Sequence, residues 1–135
     1  IPVTDLWAAR ETARRGEHDA AIPMMRQAVD ELRRAENLFY GVWGTGVLVE
    51  TLLECGAEAD ITEAQETIDR LTNLWPDDGS PVRKIVLLRL GTLLAGARGD
   101  HVAYRDLLSR YRAVAESLGF EGHIAWAEAM VDEID

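Results

Sequence analysis

The sequence predicts an all-α fold: three stacked antiparallel helix pairs followed by a single closing helix. Three observations carry this. Apolar residues recur at three- and four-residue intervals in successive segments, and no stretch alternates with the period of two that a strand requires. Gly16, Gly56 and Gly99, spaced 40 and 43 residues apart, each end a helix-like stretch and precede an acidic residue or a short acidic loop. The pattern Arg-Gly-acid-His-x-Ala is written twice, from Arg15 and again from Arg98. A chemical site would need such a pattern once. A structural joint needs it once per repeat, which argues for a helix–turn–helix corner.

The elements follow in order. The first pair is expected at 4–15 and 18–35. Its second helix sets Ile22, Met25, Val29 and Leu32 on one face, and Pro23 falls near the first turn, where a missing N–H costs little. At the corner, Gly16 supplies the left-handed helix end that a side chain would resist. Arg15 meets the negative end of one helix dipole, and Glu17 the positive end of the next.

The second pair is expected at 38–55 and 60–75, joined by "GAEADIT" as a longer corner than the other two. Ile61, Ala64, Ile68, Leu71 and Trp75 form its second seam. Pro76 stops that helix, Ser80 caps the next and Pro81 takes its first position. The third pair is expected at 81–97 and 100–118, with Tyr104, Leu107, Tyr111, Val114 and Leu118 on one seam and Arg98, Gly99 and Asp100 at the corner. The closing helix, 121–134, carries Ile124, Ala127, Val131 and Ile134. The first helices of pairs two and three are apolar nearly all round, so they need cover on several sides, as stacked hairpins provide.

Composition bounds the function. With 135 residues, 47% of them apolar, the chain can build a real core and reads as one helical-repeat domain, 1–135. A net charge of −10 argues against direct nucleic acid binding, which needs a basic footprint. The charge is uneven: residues 38–80 hold nine acids and one arginine, while 81–119 hold seven bases and three acids. Such patches are solvated faces or docking surfaces for a partner or a second copy. Apolar stretches break before 18 residues, so no membrane span is expected. The single Cys55 excludes an internal disulfide and fits a reducing cytoplasm. The opening at Ile1 and the abrupt end in "VDEID" read as a piece cut from a longer polypeptide.

Two resemblances add to this. Ala9, Gly16, Ala21 and Ala28 are spaced as the small residues of the tetratricopeptide repeat are, which implies a right-handed superhelix of hairpins. The third pair keeps the Gly-Asp corner but has Tyr104 and Tyr111 where that family prefers small residues. The stretch "LLAGARGDHVAYRDLLSRYRAVAESLGFEGHIAWAEAM" resembles the C-terminal helical region of actinobacterial, especially mycobacterial, regulators that join a class III nucleotide cyclase to an ATPase domain. That implies a module of a cyclic-nucleotide signalling protein whose catalytic motifs lie elsewhere.

No catalytic residue, metal site or cofactor is expected. "GVWGTG" lacks the Lys-Ser/Thr of a phosphate loop and lies within a helical pattern. Its three glycines, each about 1 kcal/mol less favourable than Ala in a helix, call for close contact with a helix or a ligand. His18, His101, His123 and Cys55 lack the short spacings of zinc sites, and Asp77 and Asp78 lack the ordered ligands of an EF-hand. Trp7, Trp43, Trp75 and Trp126 serve packing, or one or two of them grip a ligand.

The leading expectation is a noncatalytic interaction or regulatory module that contacts a protein partner or its own upstream domains. The binding residues expected are Phe39, Trp43, Gly46 and Arg89, on the first helices of the pairs. The alternatives are a small-molecule sensor with a pocket near Gly41 to Gly46, and a homodimerisation module that sets acidic 38–80 against basic 81–119 of a second copy.

Overall fold

A computed structural model describes the backbone of residues 2–34, 38–75, 77 and 79–134, and their side chains except those of 38–40 and 132–134. The described residues form seven α-helices and no strand. These are α1 (Pro2–Arg14), α2 (His18–Arg34), α3 (Leu38–Cys55), α4 (Glu58–Leu74), α5 (Pro81–Ala97), α6 (His101–Leu118) and α7 (Glu121–Ile134). Pro76 lies outside the described residues, as do the side chains of Phe39 and Ile134.

The first and third corners are built as the sequence predicts, and all three turn on their glycines. Gly16, Gly56 and Gly99 have φ of +85°, +72° and +70°, the left-handed region that glycine enters without a Cβ clash. Asp100 accepts a hydrogen bond from the Ala103 amide at 3.1 Å and so caps α6. Ser80 accepts from the Arg83 amide at 3.5 Å, with Pro81 opening α5. The second corner is a correction. It is Gly56 and Ala57 alone, because α4 begins at Glu58. Ala57 offers no side-chain cap, and Glu58 and Asp60 meet the positive end of the dipole instead.

The chain divides into two compact units, residues 1–75 and 76–135. In the first, α1 packs on α2 and α3, α2 packs on α3, and α3 packs on α4. Ala9, Ala21 and Ala28 are fully buried or nearly so, and their small side chains let α1 and α2 approach. Leu6, Met25, Val49 and Leu52 fill the space between the helices. The α4 seam is buried from Ala64 through Ile68 and Leu71 to Trp75. The backbones of α2 and α4 stay apart, and each packs on α3.

In the second unit, α5 pairs with α6 and α7 closes on α6. Its core is Ile85, Leu108, Tyr111, Ala115, Ala127 and Met130. Burial on α6 thus centres on Leu108, Tyr111 and Ala115, with Tyr104, Leu107 and Val114 partly covered at its edge. The large Tyr104 is matched by a glycine: a Cβ on Gly96 would stand 3.1 Å from its ring. The phenol of Tyr104 donates to the Met130 carbonyl at 3.2 Å.

Candidate functional site

The glycines of α3 divide into three roles. Successive residues turn by about 100°, so Gly41, Gly44 and Gly46 look in different directions. A Cβ on Gly44 would stand 2.9 Å from Leu6 Cδ1 and 3.4 Å from Val29 Cγ2. Gly44 is therefore a packing glycine, where α1 and α2 press on α3. A Cβ on Gly41 or Gly46 would meet nothing within 4 Å. The packing rationale for these glycines thus covers one of the three.

Gly41 opens onto a cleft of about 410 Å³. Val29 of α2, Gly41, Thr45 and Leu48 of α3, and Leu71 and Leu74 of α4 give it an apolar lining. Thr67 lines it too, with its hydroxyl donated to the Glu63 carbonyl at 2.8 Å. Five charged residues complete the walls: Arg26, Asp30 and Arg33 from α2, Glu63 and Arg70 from α4. The volume falls in the range of small-molecule sites, which combine apolar walls with a few polar groups.

The charges are arranged in pairs with one left over. Arg26 donates through Nε and Nη2 to the two carboxylate oxygens of Glu63, at 2.6 and 2.5 Å. This bidentate contact holds the Arg26 guanidinium more firmly in its charged form. It also ties α2 to α4 across α3 at one end of the cleft. Arg33 lies 3.4 Å from Asp30 on its own helix. Arg70 makes no hydrogen bond or ion pair among the described residues, although residues 38–80 hold nine acids and no other base.

The sequence-predicted residues stand elsewhere. Trp43 lies nearly opposite Gly41, Thr45 and Leu48 around α3 and packs on Trp7 of α1, with ring centroids 5.2 Å apart. Gly46 borders open space away from the cleft. The side chain of Phe39 lies outside the described residues. Arg89 belongs to the second unit, where its guanidinium carbon sits 4.3 Å from the centroid of Trp126 on α7, a cation–π contact. Gly41, named with the alternative pocket, is the one glycine of its stretch that faces a cavity. Arg70, the one arginine of the acidic stretch 38–80, lines the cleft, and its solitary charge is the sequence signal that marks it.

The second unit holds a further polar pair. The buried Tyr111 hydroxyl lies 2.6 Å from His123 Nδ1, and the imidazole stands edge-on to Trp126 at 5.0 Å. Burial, and then the charge of Arg89, lower the His123 pKa, so the ring is held neutral. A neutral Nδ1 accepts the phenolic hydrogen. Elsewhere His18 Nε2 lies 3.3 Å from Glu54, and His101 is exposed at the start of α6. Asp77 accepts from the Gly79 amide at 3.4 Å and lies 3.8 Å from Arg83, while Asp78 lies outside the described residues. Burial pushes the Cys55 thiol up, away from the thiolate that a nucleophile needs. Among the described residues no three His, Cys, Asp or Glu side chains are grouped to hold a metal ion, and no helix is long and apolar enough to cross a membrane.

No protein-family model, curated protein or solved structure matches the chain. The geometry of the cleft therefore carries the functional argument.

Proposed function

We propose that the chain is a noncatalytic regulatory module that binds a small ligand in the cleft between α2, α3 and α4. The observation that carries this reading is the opening at Gly41. A helix gives up about 1 kcal/mol of propensity there relative to Ala, with no neighbouring atom that a side chain would strike. Gly46 is equally free of neighbours but borders no cleft, so it is the cavity of about 410 Å³ beside Gly41, and not the absent side chain alone, that supports a ligand there.

The signalling context belongs to the same proposal. The segment from Leu93 to Met130 resembles the helical region of cyclase-type regulators, and a ligand-responsive helical module would couple an input to the activity of neighbouring domains. The right-handed tetratricopeptide-like stacking of the pairs is likewise proposed, on the buried small residues Ala9, Ala21 and Ala28 and the left-handed glycine corners.

Filling the cleft tests the reading. Gly41→Leu should abolish binding of the neutral fluorescent probe 1-aminoanthracene. Gly46→Leu, on a different side of α3, should leave it unchanged. Equal binding by both variants would overturn the assignment.

A further inference from the structure

We infer that the cleft is built for an amphipathic carboxylate: an apolar body of roughly a dozen non-hydrogen atoms carrying one negative charge. This rests on the reading of the cleft as a ligand site and adds the ligand's chemistry to it. The size follows from the volume. About 410 Å³ holds roughly a dozen groups of water's size, at ~30 Å³ each.

The sign follows from the charges. Glu63 is engaged by Arg26, and Asp30 by Arg33, so among the described residues lining the cleft no carboxylate is left to recruit a cation. Among the described residues of the walls, the unmatched charge is that of Arg70. Glu66 stands four residues before Arg70, a spacing that favours an ion pair on a helix, and yet the two are not paired. One unmatched positive charge suits one negative charge, and a guanidinium fork suits a carboxylate. A doubly charged phosphate would exceed what the walls compensate.

The orientation follows from the helix registers. Arg26 and Glu63 are bonded to each other, and Arg33 and Arg70 each come seven residues later on their helices. Seven residues are two turns, about 10 Å. Both arginines therefore flank the Gly41 end, while Leu48 lies toward the Arg26–Glu63 bridge, because α3 runs the opposite way. The carboxylate sits at the Gly41 end and the apolar body runs toward the bridge. The bridge also decides against a peptide helix as occupant: it crosses from α2 to α4, so a continuous helix could not run through.

Displacement of 1-aminoanthracene from the purified chain tests the inference, with decanoate, decanol and decyltrimethylammonium as competitors below their micelle concentrations. Decanoate should displace the probe at a concentration at least tenfold below decanol, with decyltrimethylammonium weakest. Arg70→Gln should remove about tenfold of the decanoate affinity and leave decanol unchanged, and Arg70→Lys should restore part of it. Arg70 is exposed, so its replacement leaves the core untouched, and an unchanged thermal midpoint verifies this. Equal displacement by decanoate and decanol, or an Arg70→Gln variant that binds decanoate normally, would overturn the inference and leave the cleft reading standing. Probe binding that survives Gly41→Leu, or no probe binding at all, would overturn both.

Discussion

Arg26 and Glu63, on two helices whose backbones stay apart, are joined by two hydrogen bonds of 2.6 and 2.5 Å. The contact joins two helical hairpins through residues 37 apart in sequence, and it closes one end of the cleft. Arg26 is nearly half exposed and Glu63 about a quarter exposed, so solvent screens the pair. A double-mutant cycle of Arg26→Gln and Glu63→Gln, followed by urea denaturation, should give a coupling of about 0.5–1 kcal/mol that shrinks in high salt. A coupling near zero at low salt would mean that the bridge does not hold α2 to α4.

Gly44 and Gly41 should respond oppositely to alanine. Both gain up to ~1 kcal/mol of helix propensity. At Gly44 the new methyl runs into Leu6, which is fully buried and has little room to move, and overpacking costs about 1–3 kcal/mol. Gly44→Ala should therefore destabilise the chain by roughly 1 kcal/mol, and Gly41→Ala should stabilise it by up to ~1 kcal/mol. Urea midpoints at constant m-value would check the contrast.

Trp43 should report on stability and not on the cleft. Its ring packs on Trp7, and such aromatic pairs add about 0.5–1.5 kcal/mol beyond the area they bury. Trp43→Ala should lower the urea midpoint while 1-aminoanthracene affinity stays within twofold of the parent. A large loss of affinity with an unchanged midpoint would return Trp43 to the binding surface.

His123 should make stability depend on pH. Burial and Arg89 hold its pKa below the ordinary 6.5, so the folded chain resists the proton that the unfolded chain accepts. The unfolded state then binds more protons once the pH drops below about 6.5, and stability falls as pH decreases through that value toward the lowered folded pKa. The thermal midpoint should drop more steeply between pH 7.5 and pH 5.5 in the parent than in His123→Gln. Parallel slopes would show that this imidazole does not stay neutral.

Much of the architecture is legible in the sequence because local rules govern it. The left-handed glycines at 16, 56 and 99 mark corners wherever a helix must end sharply, and three-four spacing marks the buried faces of α2 and α4. The start of α4 is less legible, since Ala57 gives no capping signature and the acids of the next turn resemble a loop. The cleft is not legible at all from local pattern. Gly41, Gly44 and Gly46 look alike in the chain, and what separates them is which neighbour stands on each side of α3. That depends on α2 and α4 flanking α3 from segments far apart in sequence. Arg70 reads as one more surface charge until its lack of an acid partner is seen beside Glu63 and Asp30, whose charges are already matched.

The central claim is that the α2–α3–α4 cleft is the ligand site, and NMR on the ¹⁵N-labelled chain tests it most directly. Titration with 1-aminoanthracene should shift the amides of Gly41, Thr45, Leu48, Thr67 and Leu71 through the ring current of the bound probe. The amide of Gly46 and the indole signals of Trp43 and Trp126 should stay in place. Shifts centred on Trp7 and Trp43, or on Trp126 and Arg89, would contradict the account and place the binding surface elsewhere.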